Sequence, residues 1–154
     1  MHELIREIKK EDYPAIDRLL NQLHKVHVDG RPELFFPEEH SLSKDSFENL
    51  ISNKEIISIL AEKDHKVVGV CIVSMLNKSG MVQMKTAYVD ELVVDENFRR
   101  RGIGRALFSE AERRAKKLGA KRIDLMVWSF NETALHAYDS YGMTPQRYIY
   151  EKGI

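Results

Sequence analysis

The segment Arg99-Arg100-Arg101-Gly102-Ile103-Gly104-Arg105 sets two glycines among four arginines just before a helical pattern. The first turn of a helix leaves backbone N–H groups without intrahelical partners and carries partial positive charge, so it suits an anion. Gly102 and Gly104 remove side chains that would keep a phosphate from the backbone, and the arginines add full charges. The chemistry implied is the grip of a pyrophosphate. Further on, Asn131 and Tyr138 are seven residues apart, two helical turns, so a helix there projects both from one face with Ala134 between them. His24 and His27 stand at i and i+3, but no carboxylate or cysteine constellation accompanies them, so no metal site is expected.

Two common pyrophosphate motifs fail on the residues. A P-loop needs lysine followed by Ser or Thr after its second glycine, whereas Arg105-Ala106 follows Gly104. A dinucleotide fingerprint needs a small residue where Leu107 stands, to let strand and helix pack closely.

The elements that must carry these groups can be read from periodicity. Leu4 to Ile8 alternates as a strand. Pro14 suits the first turn of a helix whose inner face is Ile16, Leu19, Leu20 and Leu23, with His24 and His27 continuing the spacing. Gly30 to Pro37 is expected as a loop, and its Leu34, Phe35 and Phe36 either plug the core or line a pocket. A short helix follows from Ser43 or Lys44 to Ile51. Ile56 to Glu62 and Lys66 to Leu76 form a hairpin across Lys63-Asp64-His65, and Asn77 to Gly80 turns the chain into a strand from Met84 to Val94. Three strands with short connections make an antiparallel meander. A helix from Gly102 to Leu118 turns Ile103, Leu107, Ala111, Ala115 and Leu118 inward and stops at Gly119. The alternating run Arg122 to Phe130 is then a strand reached by a parallel crossover. Asn131 caps a last helix ending at Tyr141-Gly142, and Met143 to Lys152 reads as a final strand or pair of strands. The 154 residues are expected to form one mixed α/β domain.

Composition bounds the function classes. A 43% apolar and 31% charged chain suits a globular protein rather than a disordered one. Zero formal net charge argues against wholesale binding of nucleic acid or acidic membrane. Ten Lys or Arg residues crowd Arg99 to Arg122 against only Glu110 and Glu112, and those on the helix read mainly as a solvated face. The sole cysteine, Cys71, excludes an intrachain disulfide and reads as a small buried hydrophobe. The N-terminus shows no signal-peptide pattern and no run is long enough to span a bilayer, so a cytoplasmic location is the expectation.

Two motifs at the right separation identify a family. Arg99-Arg100-Arg101-Gly102-Ile103-Gly104 resembles the Arg/Gln-x-x-Gly-x-Gly/Ala motif of the GNAT N-acetyltransferase superfamily. The segment Asn131 to Met143 is similar to that family's Asn-x-x-Ala-x-x-x-Tyr-x-x-x-Gly-Phe, with Met143 in place of the usual Phe. Glu91 to Asp95 looks like the family's strand entering the first motif, and the resemblance extends over essentially the whole chain. It implies a mixed, mostly antiparallel sheet of about six to seven strands with about four helices, splayed between the Met84–Val94 and Arg122–Phe130 strands.

The same resemblance implies acetyl-coenzyme A as donor and no metal. Arg100, Arg101, Gly102, Ile103, Gly104 and Arg105 would cradle its pyrophosphate, and Arg99, in the motif's Arg/Gln position, would either join them in binding the cofactor or hold the loop. Leu92 and Val94 would hold the pantetheine arm by main-chain hydrogen bonds, in the manner of an added strand. A backbone N–H near Leu92 or Val93 would polarise the thioester carbonyl. Asn131 would bind the cofactor and Tyr138 would protonate the departing thiolate, with Tyr141 as the fallback donor. An acceptor amine must lose a proton, and Asp90 and Glu91 are the candidate bases. Neighbours on a strand face opposite ways, so only one can serve unless a bulge intervenes; Asp90 is slightly favoured. The implied reaction is direct acetyl transfer to a primary amine. A non-catalytic acyl-coenzyme A sensor, or an acetyltransferase acting on a ribosomal or other protein N-terminus, is the alternative. The acceptor is not readable, its pocket being expected from His24 to Phe47, and a homodimer built on the tail strands is an assembly open to the chain.

Overall fold

A computed structural model of the chain describes residues 4–77 and 82–154. The expected turn from Asn77 to Gly80 therefore lies, beyond Asn77, outside the described residues. Five strands stand in chain order across one sheet: β1 (Leu4–Glu7), β2 (Ile56–Lys63), β3 (Lys66–Asn77), β4 (Lys85–Val94) and β5 (Arg122–Asp124). The first four pair antiparallel, and β5 joins β4 in parallel. Asp64 and His65, both at positive φ, make the two-residue hairpin between β2 and β3, the backbone signature of a turn whose twist matches that of the strands.

The alternation of apolar residues sorts the two faces. Ile59, Ala61, Cys71 and Val73 point to one core and Leu60, Val70 and Ile72 to the other. Helix α3 (Ile103–Lys117) covers the first with Ile103, Leu107, Phe108, Ala111 and Ala115. Helices α1 (Tyr13–Gly30) and α2 (Lys44–Ser52) cover the second with Ile16, Leu19, Leu20 and Phe47. Helix α4 (Glu132–Ser140) follows β5. Leu118, expected inward, lies past the end of α3 and is 38% exposed.

Three expectations change. The sheet among the described residues has five strands, not six to seven. The run Arg122 to Phe130 is a strand only through Asp124, because its pairing with β4 ends at Tyr88↔Asp124 and beyond that no ladder holds it. The tail after Met143 forms no strand, for the same reason: it is irregular and largely exposed, with no ladder partner among the described residues. A fourth correction is smaller: Gly30 closes α1 instead of opening the loop. The expected splay is present, since from Val89 to Val94 the β4 edge that faced β5 has no strand beside it among the described residues.

Candidate active site

The arginine–glycine turn is built on a buried carboxylate. Asp95, 1% exposed, ends β4 by donating its N–H to Val68 O (2.8 Å). Its side chain accepts from Asn97 N (3.1 Å) and from Arg18 Nη1 (2.8 Å). Burial alone would raise this carboxyl, but Arg18, the Asn97 N–H and Lys66 outweigh it and hold it below the usual range. The chain then passes through Arg100 (φ 61°) and Gly102 (φ 81°), both left-handed, into α3. Such a φ is costly for most side chains and free for glycine. Ala106 N is the first to close on Gly102 O (3.0 Å), so helix geometry leaves the N–H groups of Ile103, Gly104 and Arg105 for a partner outside the helix.

The side chains of the turn divide in task. Arg99 Nε donates to Val94 O (3.3 Å) and Arg101 lies over the Phe98 ring (5.2 Å). Arg105 donates to Ser140 O (3.2 Å) and lies over Tyr141 (5.0 Å), tying α3 to the end of α4. Arg100 is exposed, and Ile103 is buried and offers only its backbone. A Cβ on Gly104 would stand 2.9 Å from Tyr141 Oη, so any residue but glycine there would crowd the tyrosine.

The open edge of β4 leads away from this turn. Because Asp95 N points toward β3, strand alternation turns the N–H and C=O of Leu92 and Val94 to the opposite, unpaired side, while those of Val93 face β3. Across the opening, Asn131 caps α4 through Oδ1, which accepts from Ala134 N (3.1 Å). Its amide NH2 is left for other contacts. Leu92, Asn131, Ala134 and Tyr138 line one cavity together with Asp90 and Glu91.

Both acids reach that cavity because β4 bulges. The ladder runs Val73↔Val89 and then Ile72↔Glu91, leaving Asp90 as the extra residue. Asp90 accepts a hydrogen bond from Ser74 Oγ. Desolvation raises its carboxyl against the lowering effect of Ser74, though Asp90 keeps substantial solvent exposure. Glu91 is less exposed, and burial together with the neighbouring Asp90 pushes it up to about 7, partly offset by His24. Burial pushes the Tyr138 phenol up to about 12. Cys71 is fully buried in β3 opposite Leu92, its thiol also pushed up to about 12, and it does not line the cavity.

An aromatic group that the sequence did not announce closes the other end. Phe35 stacks on His27 (5.3 Å between centroids) and meets Trp128 edge-on (5.6 Å). Trp128 stacks on Phe130 (6.2 Å). Trp128 and Phe130 read as strand residues; the clue available was only that the alternating run ends on two aromatic side chains. Leu34 and Phe36 are 52% and 71% exposed, so of the apolar loop only Phe35 joins the site. The loop is strapped to α1 by His24 Nε2 against Phe36 O (2.8 Å), Asn21 Nδ2 donating to Glu39 O (3.0 Å), and Asp17 with His40 (2.6 Å). His24 and His27 therefore hold and line the pocket. Among the described residues no cluster of three or more His, Cys, Asp or Glu is placed to hold a metal, and no helix is long and apolar enough to cross a membrane.

Known proteins are similar to the chain in sequence or in fold. An uncharacterized N-acetyltransferase of Methanocaldococcus jannaschii is 26% identical over 94% of the chain, which spans only 62% of that relative's length. The x-ray structure of a tetramutant protein from Bacillus halodurans superposes with a TM-score of 0.93 at 30% identity, covering 98% of this chain and 99% of that one. An aminoglycoside N-acetyltransferase solved with coenzyme A shares the fold with a TM-score of 0.74 at 18% identity, over 98% and 99% of the two chains. The model of the acetyltransferase (GNAT) family matches residues 7–143, which takes in the arginine–glycine turn, the open strand edge and α4, and the chain belongs to that family.

Proposed function

We propose that the chain catalyses direct transfer of an acetyl group from acetyl-coenzyme A to a primary amine. The observation that carries this reading is a cavity between β4 and α4, where Glu91, Asp90 and Tyr138 meet at the far end of an unpaired strand edge from the amide-rich turn. The unused N–H groups of Ile103, Gly104 and Arg105, with Arg100 and Arg101 beside them, fit a pyrophosphate. The main-chain groups of Leu92 and the N–H of Val94, with Asn131, fit an amide-bearing arm. Acetyl-coenzyme A supplies the activated thioester acetyl group.

This chain's residues manage the protons. An alkyl amine of pKa about 10.4 is neutral in roughly one molecule in a few thousand at pH 7, a deficit of about 4.6 kcal/mol. We assign the base to Glu91 over Asp90, because a carboxyl near 7 is matched to neutral pH and is the more buried of the two. As the amine nitrogen bonds to the acetyl carbon and the carbon–sulfur bond breaks, Glu91 takes the proton lost by the amine. Tyr138 gives its phenolic proton to the departing sulfur. Cys71 is buried outside the cavity, which supports a route without a covalent enzyme intermediate.

Two alternatives fit less well. A sensor would need the turn but not an acid and a phenol together at the end of the arm. A nucleic-acid-bound partner would need free cations on α3, yet Glu110 pairs with both Arg113 and Arg114, and Glu112 with Lys116. Steady-state coenzyme A release with an amine panel, with product-inhibition patterns, tests the proposal; an acetylated-enzyme pattern would sink direct transfer. A homodimer through the tail is supported by the exposure of Tyr148, Ile149 and Tyr150 at 79%, 78% and 92%. Sedimentation of the chain at one protomer's mass would count against it.

A further inference from the structure

At the acceptor end of the cavity the acidic and apolar groups are segregated. Asp90 and Glu91 make one acidic spot on the β4 bulge. Leu23, His27 and Trp128 line the cavity around it, and Phe35 packs behind His27 and Trp128. Burial lowers the pKa of the His27 imidazole, so that wall is uncharged at neutral pH. Carboxylates farther out already have partners. Glu33 and Glu151 both pair with Arg31, and the Arg31 guanidinium lies 5.3 Å from the centroid of Trp128. Glu38 stands 3.9 Å from His24.

We infer that the acceptor is a primary monoamine carried on a short chain from an aromatic ring, its nitrogen at Asp90 and Glu91 and its ring against His27 and Trp128, which Phe35 holds in place from behind. This rests on the acetyltransferase reading of the same cavity. A flat ring meets aromatic edges and faces there and loses no hydrogen bonds on entering. A diamine or polyamine would bring its second ammonium toward the Arg31 guanidinium, with the nearby acids committed to other partners. An amino sugar would set its hydroxyl groups against ring carbon and leave them without partners. A methylene-sized difference in an apolar pocket is worth about tenfold or more in specificity, and a ring is larger.

The test is coenzyme A release from acetyl-coenzyme A with phenethylamine, tryptamine, propylamine, putrescine, spermidine, ornithine and kanamycin as acceptors. The arylalkylamines are expected to exceed every other acceptor by at least about tenfold in kcat/KM. Trp128→Ala and Phe35→Ala should raise KM for phenethylamine by about tenfold and KM for propylamine by several-fold less, so that the ratio of the two narrows. Circular dichroism and Tm report whether each variant is folded; if Trp128→Ala is not, Phe35→Ala carries the comparison. Trp128 is the chain's only tryptophan, so its fluorescence reads phenethylamine binding to the coenzyme A-loaded protein without turnover. Acetylation of polyamines, ornithine or kanamycin at or above the arylalkylamine rate overturns the inference and leaves the acetyltransferase reading standing. Acetyl-coenzyme A binding with no amine acetylated overturns both.

Discussion

Asp90 and Glu91 are consecutive residues on β4, yet both line one cavity, because the strand carries one more residue than its partner between Val89 and Glu91. A regular strand would send them to opposite faces. Desolvation raises both carboxyl groups, and the neighbouring Asp90 adds to it at Glu91, which is pushed up to about 7.

Glu91→Gln is expected to lower kcat by about a hundredfold and to abolish a rise of kcat/KM with pH centred near 7. Asp90→Asn should cost less and move the remaining limb downward, since it removes a like charge beside Glu91. Stability gives an independent check with a definite sign. The Glu91 carboxyl titrates higher in the fold than its ordinary value, so its ionised form destabilises the folded state progressively from about pH 4.5 up to about 7 and fully above that. Glu91→Gln should therefore have a higher Tm than the parent at pH 8 and the same Tm at pH 4, by calorimetry.

Tyr138→Phe should reduce turnover by about a hundredfold or more while changing acetyl-coenzyme A affinity little, because the phenol's proton and not its ring serves the leaving sulfur. With the phenol pushed up to about 12, Tyr138 stays protonated across the working range. The pH profile below pH 10 should then show no alkaline fall from this group. Single-turnover kinetics separate this from slow product release, and unchanged turnover would remove Tyr138 from the mechanism.

The parts of this site that were legible in the sequence are those set by short-range rules. Gly102 sits where a left-handed φ is required, Asn131 caps α4, and Gly119 and Gly142 stop their helices at positive φ. These depend on backbone geometry within a few residues, and residue type reveals it. The Trp128–Phe35–His27 group was not legible, because it forms where a strand stops pairing and a loop is strapped back by Asn21, His24 and Asp17. The bulge at Asp90 was open for the same reason: register belongs to the pair of strands and not to either one. Alternation from Arg122 to Phe130 overstates the length of β5, because it reports a surface that could pair, while pairing needs a neighbour that β4 withdraws after Tyr88.

The ion pair under the arginine–glycine turn should dominate its stability. Asp95 is 1% exposed and Arg18 reaches it at 2.8 Å. Arg18→Ala leaves that carboxylate buried with one main-chain donor and a distant Lys66, and is expected to cost about 3 kcal/mol in denaturant unfolding. Asp95→Asn should cost less, because the amide oxygen still accepts from Asn97 N. The fold holds the Asp95 carboxyl below the usual range, so its stabilisation is fully present above about pH 4 and is lost as pH falls through the lowered value. The difference between parent and Asp95→Asn should thus shrink in acid and be constant from pH 5 to 8.

The last prediction concerns how wide the acceptor end stands open. Gly30 ends α1 against the ring of Phe130, and a Cβ there would lie 2.3 Å from that ring. No relaxed contact is so short, so Gly30→Ala must either part α1 from the segment after β5 or push Phe130 aside. Overpacking of this kind costs about 1–3 kcal/mol. Because Phe130 stacks on Trp128, the displaced ring should carry the change to the cavity wall. Gly30→Ala is expected to lower Tm, shift the emission of Trp128, and raise the acceptor KM while acetyl-coenzyme A affinity is retained, since the turn and the β4 edge lie outside the contact. Adding Phe130→Ala to Gly30→Ala should destabilise by less than the two single changes summed, because the truncated side chain leaves room for the new methyl group. Strict additivity in a double-mutant cycle would show that the two residues do not share that space in solution.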